Sequence, residues 1–236
     1  METSIFNYGE LPEFKKFTSD RINQEFPSVI EKINLDFKNI EKFLSNYLNQ
    51  ENLEWDEVIN PLNEVNEILR WSWGVISHLN GVKNSESLRE IYSKFLPEII
   101  NLSNKFGQSK IIYNALVKLK ETNNFDDVKN RILDKEILEM EHSGISLNLD
   151  DQKEFNLISE KLGKLSTNFS NNVLDATNSW FQILNDKSQV DGVPERVLEL
   201  MAISAHEYLK KDGEADAKKG PWKLSLDIPT YTAFMT

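Results

Sequence analysis

The residue types best suited to metal chemistry fall in one run, His206-Glu207-Tyr208-Leu209-Lys210. In helical metallopeptidases the pattern His-Glu-x-x-His puts two histidines on one face of a helix, and the glutamate between them acts as general base. Here the second ligand position is Lys210, which is charged near neutral pH and does not normally coordinate zinc. We therefore interpret this run as a surface helix of mixed charge.

The other candidates for catalysis do not assemble from the sequence either. His78, His142 and His206 lie in three different helical regions without the paired spacing of a three-histidine zinc site. Glu139 and Glu141 are two residues apart, and such positions do not face one direction on a helix. The sequence therefore predicts no catalytic residue and no metal ligand in this chain.

Two further groups could line a binding surface. Trp71 and Trp73 lie directly before Gly74 and could line such a surface. Core packing is the favoured interpretation, because indoles supply a large buried area. Asn168, Asn172 and Asp175 share one helix face, and they either face a groove or hydrogen-bond to neighbouring helices.

Residues 149–180 form the element around which the chain is organised. Their apolar residues recur at steps of three and four, which only a helix places on one face. We expect a long helix whose apolar stripe is buried and holds a helical bundle together. The stripe consists of Phe155, Ile158, Leu162, Leu165, Phe169, Val173, Ala176 and Trp180.

The remaining chain predicts a mainly α fold. An extended arm, which Leu11, Phe14 and Phe17 could anchor, precedes a helical turn, a break at Pro27 and a long helix from there. Pro61 fits the first turn of the main part of the next helical region. Alternation of apolar and polar residues predicts one short strand near residues 222–227, without an obvious partner. The segment over 180–190 could be a strand or a loop. The expected domains are an arm over 1–17, a helical domain over 18–182 and a following region over 183–236. Further helices are expected over 27–48, 55–81, 85–107, 110–120, 125–141 and 194–211, with another beginning at 230.

The amino-acid composition argues against several classes of function. The 236 residues include no cysteine, which fits a reducing compartment and excludes a thiolate nucleophile. A formal charge of −11 argues against general binding to nucleic acid, which requires a basic face. Neither a signal peptide nor an apolar run long enough to span a bilayer is apparent. We expect a soluble, cytoplasmic protein that contacts neither nucleic acid nor membrane.

Several segments together resemble a known family. They are ELPEF, WDEVINPLNEVNEIL, SHLNGVKNSESLREIY, EHSGISL, SNNVLDAT and SLDIPTYTAFM, in this order along nearly the whole chain. The chain is similar to the N-terminal part of the thimet-oligopeptidase family of zinc metallopeptidases. The resemblance implies a helical enzyme in which a deep channel admits short peptides, and in which zinc is held in a C-terminal part that follows these segments.

The resemblance also implies roles for residues of this chain. The domain over 18–182 would form one wall of the channel, with His78, Asn80, Asn168, Asn172 and Asp175 as candidate residues of that wall. No zinc ligand of the family falls within this chain, which is therefore predicted to be inactive alone. Short peptides and the C-terminal catalytic part would be its partners. The alternative is a stand-alone helical module that is derived from the same ancestor and has a peptide-binding or regulatory role.

Overall fold

The computed structural model describes residues 4–47, 53–210 and 213–235, and within them the chain is mainly helical. This confirms the fold class that the spacing of apolar residues predicts. Single turns of 3-10 helix lie at Phe14–Lys16 and Lys187–Val190. The main elements are α1 Ser19–Tyr47, α2 Trp55–Val82, α3 Glu86–Gly107, α4 Lys110–Thr122, α5 Asp127–His142, α6 Leu149–Ser179, β1 Phe181–Leu184, α7 Glu195–Leu209, β2 Trp222–Ser225 and α8 Ile228–Met235.

The chain divides into two compact units, Met1–Lys164 and Leu165–Thr236. The first unit contains α1 to α5 and the first half of α6. The second contains the rest of α6, the two strands, α7 and α8. The domain boundaries expected at residues 17 and 182 stay predictions.

Short polar side chains set the starts of α3, α4 and α5. Ser85, Ser109 and Asp126 each precede a helix, and each side chain accepts a hydrogen bond from a backbone N–H of the first turn. These N–H groups have no partner within the helix, so a capping oxygen stabilises each start. The predicted start of α3 after Ser85 is confirmed.

Pro27 and Pro61 lie inside long helices, although the sequence predicts a break at the first and a helix start near the second. The predicted break at Pro27 is wrong, because α1 runs unbroken from Ser19 to Tyr47. Phe26 and Ile22, just before this proline, are fully buried. Their burial offsets the cost of an interior proline, which is about 3 kcal/mol. Pro61 likewise lies beyond the first turn of α2, since that helix already begins at Trp55.

Phe26 lies in an aromatic cluster of the first unit. Its ring meets Phe95 edge-on with 5.0 Å between centroids, and stacks on Trp73 at 6.0 Å. Trp73 also stacks on Tyr92 at 4.7 Å. Trp71 packs against the same core. The core role predicted for Trp71 and Trp73 is therefore confirmed.

The segment before α1 is anchored by fewer residues than the sequence predicts. Phe17 is buried, as expected, and Ile5 is buried with it. Leu11 is 92% exposed, so its predicted anchoring role is wrong. A single exposed leucine in a loop costs little, and apolar type alone therefore does not mark an anchor. Phe14 is partly exposed, and its ring lies 5.4 Å from that of His78.

Glu25 on α1 binds the start of this segment. One carboxylate oxygen accepts hydrogen bonds from the Ile5 N–H and the Ser4 hydroxyl, each at 2.9 Å. The other accepts from Nε of Arg21, also at 2.9 Å. Burial by itself would raise the pKa of Glu25, but these hydrogen bonds outweigh it and hold the pKa below its ordinary value.

We expect Glu25→Gln to lower the free energy of unfolding at neutral pH by about 1–3 kcal/mol, because charge-assisted hydrogen bonds are lost. The carboxylate has a lower pKa folded than unfolded. Its contribution is therefore complete above the ordinary pKa, and disappears as pH falls through the folded-state pKa. Urea unfolding from neutral to acid pH should show the two proteins converging in acid. Glu31→Gln, an exposed change on the same helix, should have little effect, and a pH-independent loss for Glu25→Gln would contradict this account.

The second unit contains a two-stranded antiparallel sheet. β1 pairs with β2 so that Phe181 lies opposite Ser225 and Leu184 opposite Trp222. The strand predicted near residues 222–227 is confirmed over Trp222–Ser225, but the expectation that it has no partner is wrong. β1 has only four residues, too few for alternation to stand out, and α7 separates the two strands in the chain. Such pairing is non-local and is decided by the fold.

A small core fills the second unit around Trp222. This side chain is 1% exposed, and its indole N–H donates to the Ala217 carbonyl at 2.9 Å. Leu184 and Met201 are buried in the same cluster. At the start of α8, Asp227 accepts a hydrogen bond from the Thr230 N–H at 3.0 Å. The helix predicted to begin near residue 230 is thereby confirmed.

α6 exposes the apolar stripe that the spacing predicts to be buried. All 31 of its residues are described, and none is buried. Leu162, Leu165 and Phe169 are 61%, 52% and 69% exposed. The prediction that α6 holds a bundle together through this stripe is therefore wrong.

Within the first unit, α6 packs through small and polar residues instead. Gln152 donates to a carbonyl of the linker before α6 at 3.0 Å, and Asn156 exchanges two hydrogen bonds with Gln108. A Cβ on Gly163 would lie 2.5 Å from Cδ1 of Ile100, so the helix approaches α3 closely there. Periodicity shows that a stripe exists, but not which side of the helix the fold covers.

Candidate functional site

The two candidate wall residues of α2 do not form one patch. His78 is exposed, whereas Asn80 is half-buried. Positions two apart on a helix point to different sides. The side-chain oxygen of Asn80 is buried without a hydrogen-bond partner among the described residues. Among the described side chains it is one of two such orphaned atoms, the other being Nδ2 of Asn104.

The three candidate wall residues of α6 lie in the second unit. Asn168, Asn172 and Asp175 are all exposed. Their spacing of four and then three residues places them along one face of the helix. His78 and Asn80 belong to the first unit, so each group of candidate residues is described within its own unit. The role of all five residues as a channel wall stays a prediction.

The His206-Glu207 run lies in the last turn of α7 and does not form a two-ligand motif. α7 ends at Leu209, and Lys210 has a left-handed backbone with φ of 50°. Lys210 therefore lies outside the helix that a His-Glu-x-x-His pair requires.

A metal site needs a group of ligands, and the described side chains do not supply one. No cluster of three or more His, Cys, Asp or Glu side chains able to hold a metal occurs within residues 4–47, 53–210 and 213–235. The zinc that the family resemblance implies does not fit these residues, and no catalytic step is assigned to them through it. Over the same ranges, no helix is both long and apolar enough to cross a membrane.

A cleft that sequence reasoning missed lies among α1 to α5 of the first unit. Its volume is about 240 Å³. Leu62 and Leu69 of α2, Leu116 of α4 and Met140 of α5 contribute to its apolar lining. Residues from five helices meet here, so no single helical pattern reveals the cleft.

Two carboxylates of α5 lie at this cleft. Glu136 and Glu139 are one turn apart and both belong to its lining. Desolvation beside the cleft raises the pKa of Glu136, and the negative charge of Glu139 adds to the rise while Lys135 opposes it. Glu141, by contrast, accepts a hydrogen bond from the Tyr113 hydroxyl at 3.0 Å and is not part of the lining. Glu139 and Glu141 thus have separate surroundings, as their spacing predicts.

The sequence offers one local signal for this cleft. The i, i+3 spacing of Glu136 and Glu139 puts two acids on one helix face. Their apolar counterparts come from distant parts of the chain, and only the packed fold brings them together.

The fold places this chain among mainly α-helical proteins with a small β-sheet. It is a mainly helical unit with an apolar cleft, joined through a long helix to a second unit with a two-stranded sheet. Residues 26–153 match the family model described as "Neurolysin/Thimet oligopeptidase, N-terminal domain". The chain belongs to the neurolysin/thimet oligopeptidase family, and the resemblance drawn from its sequence segments is confirmed.

Similar proteins extend this match to the whole chain. Oligopeptidase A of Haemophilus influenzae is 33% identical over 239 residues, which cover 100% of this chain and 33% of that protein. Oligopeptidase A of Escherichia coli is 32% identical, with 100% and 33% covered. The probable cytosolic oligopeptidase A of Arabidopsis thaliana is 31% identical, with 96% and 31% covered. The chain spans about a third of the length of the curated relatives it matches.

Proposed function

We propose that this chain is the N-terminal part of a zinc metalloendopeptidase that hydrolyses short peptides inside a size-restricting channel. The observation that carries the proposal is the match of the whole chain to about a third of several proteins named oligopeptidase A. In this proposal zinc and the residues that hold it belong to the remaining two thirds. When bound there, zinc would supply a water nucleophile of lowered pKa for hydrolysis of the peptide bond.

The exposed stripe of α6 supports a role in a larger assembly. Soluble proteins rarely expose a long contiguous apolar surface, and such surfaces usually mark an interaction site. Leu162, Leu165 and Phe169 are each more than half exposed. We infer that the catalytic part of the full-length protein covers this stripe, which removes apolar area from water.

The polar residues of α6 supply the proposed wall. Asn168 and Asn172 each carry an amide that both donates and accepts hydrogen bonds, and Asp175 carries an acceptor. These are the groups that an extended peptide backbone requires. His78 and Asn80 are included in the same proposed wall, and Asn80 contributes a carbonyl oxygen without a partner among the described residues.

The cytosol is the proposed compartment. The name of one Arabidopsis thaliana relative places that protein in the cytosol, and this chain has no cysteine that would favour an oxidising compartment. The formal charge of −11 favours neither nucleic acid nor an anionic membrane surface as a partner.

The proposal predicts different behaviour for the full-length product and for residues 1–236 alone. We expect the product of the complete open reading frame to contain stoichiometric zinc and to cleave short fluorogenic peptides, but not a folded protein substrate. The 236-residue chain alone should do neither, because its described residues supply no zinc ligand set. Metal analysis and peptide assays on both proteins provide the measurement.

Two outcomes would contradict the proposal. Stoichiometric zinc with peptidase activity in the 236-residue chain would place the site within these residues. A stop codon directly after Thr236, with tight peptide binding but no hydrolysis, would favour the stand-alone binding module instead.

A further inference from the structure

We propose that the cleft among α1 to α5 binds a small primary ammonium group that carries an apolar body. The cleft combines an apolar lining with two carboxylates, and it is distinct from the proposed channel wall on α6. None of His78, Asn80, Asn168, Asn172 or Asp175 contributes to its lining.

The size of the cleft limits the ligand. Its volume of about 240 Å³ is just below the ~300 Å³ at the lower end of common ligand pockets. A branched alkyl group of leucine size fits this space, whereas a folded domain or an extended peptide does not. Leu116 and Met140 are almost fully buried and offer such a group an apolar surface.

Charge selects the polar end of the ligand. Among the lining residues, Glu136 and Glu139 are acidic and none is basic. Glu139 has a long ion pair with Lys135, at 3.6 Å between Oε1 and Nζ. The Glu136 carboxylate has no ion pair or hydrogen bond with any described residue, so it is available to a cation.

Other ligand classes fit the cleft less well. An anion would meet two carboxylates without a compensating positive charge. A bare divalent cation needs about six oxygen ligands, and these side chains do not form part of a metal-binding cluster among the described residues. A neutral apolar molecule would fill the apolar space but gain no charge-assisted contact with the exposed Glu136 carboxylate at its edge. An ammonium group satisfies the carboxylate while its alkyl group fills the apolar space.

Two sources supply this chemistry, and the experiment separates them. Leucinamide represents the free N-terminus of a peptide with a hydrophobic first residue, and isoamylamine represents a simple amine. N-acetyl-leucinamide keeps the apolar body of leucinamide but has no positive charge. Each compound is titrated into the 236-residue chain, and methyl NMR shifts of Leu116 and Met140 give the Kd.

We expect both amines to shift these methyl signals, and N-acetyl-leucinamide to bind at least about tenfold more weakly because the charge-assisted contact is lost. Tighter binding of leucinamide identifies a peptide N-terminus as the ligand, and tighter binding of isoamylamine identifies a simple amine. Equal binding of the acetylated compound, or no shift with either amine, would overturn the proposal.

Variants locate the contact. Glu136→Gln should weaken leucinamide binding about tenfold, whereas Glu160→Gln on α6, outside the cleft, should leave the Kd unchanged. Ile132→Trp fills the rim from a partly exposed position and should abolish the shifts while helical circular dichroism is retained. An unchanged Kd in Glu136→Gln or in Ile132→Trp would show that the ligand binds elsewhere.

Discussion

Phe26→Ala is expected to lower the free energy of unfolding of the first unit by about 3–5 kcal/mol, the usual cost of removing a fully buried phenylalanine. The side chain has 0% exposure, and it contacts aromatic rings from three other segments: Phe6, Trp73 and Phe95. The change therefore loses both burial and aromatic packing and leaves a cavity where α1, α2 and α3 meet. Urea unfolding followed by circular dichroism provides the measurement.

Phe169→Ala supplies the comparison, because the residue change is identical while the side chain is exposed and belongs to the second unit. Phe169 lies on α6 and is 69% exposed, so we expect a change within about 0.5 kcal/mol. Equal losses in the two variants would mean that the stripe of α6 is buried in solution, as its sequence periodicity predicts. A small loss for Phe26→Ala would contradict the aromatic core described here.

Trp222→Ala is expected to unfold the second unit while the first unit stays folded. Trp222 is 1% exposed, and its indole N–H bonds to the Ala217 carbonyl. Loss of a buried tryptophan costs about 3–5 kcal/mol. A unit this small is marginally stable, so the loss removes most of its stability. Hydrogen exchange should become fast in β1 and β2 but remain slow in α1 to α4.

Trp180→Ala supplies the comparison for this result. Trp180 precedes β1 and is 45% exposed, so exchange in the strands should change little. If Trp222→Ala also unfolded α1 to α4, the two units would unfold as one cooperative body, and the independence expected from their separate cores would be wrong.

The arrangement of α6 connects these experiments with the proposed function. Its packed side carries Gln152, Asn156 and Gly163, while Leu162 and Phe169 remain exposed. A stripe with this spacing is normally a core face. In this chain the stripe is exposed, and Phe169→Ala tests its exposure directly.

Local chemistry explains the predictions that succeeded. The helices could be predicted because apolar residues at steps of three and four, together with capping residues such as Ser85, depend on neighbours only a few residues away. Two predictions were wrong because contacts between distant residues decided the outcome. The break at Pro27 was overridden by burial of Phe26, and the partner of β2 came from β1, across α7 in the chain.

The candidate sites divide in the same way. Sequence spacing predicted that Glu139 and Glu141 have different surroundings. It also showed that Lys210 occupies the second ligand position after His206-Glu207, where a zinc site needs histidine. It could not reveal the cleft, because α5 supplies both acids while four other helices supply most of the apolar lining. Nor could it decide whether Asn168 and Asn172 face a groove or hydrogen-bond to neighbouring helices; in the structure both are exposed.

By itself, the sequence determined a mainly helical chain, its family and the positions of most helices, because these depend on periodicity, capping and matching segments. Tertiary structure alone decided which face of each helix is covered. It buried Phe26 and Trp222, paired β1 with β2, brought Glu136 to an apolar cleft and left the stripe of α6 exposed. The physical reason is that helix periodicity is a local property, whereas burial depends on contacts between residues far apart in the chain.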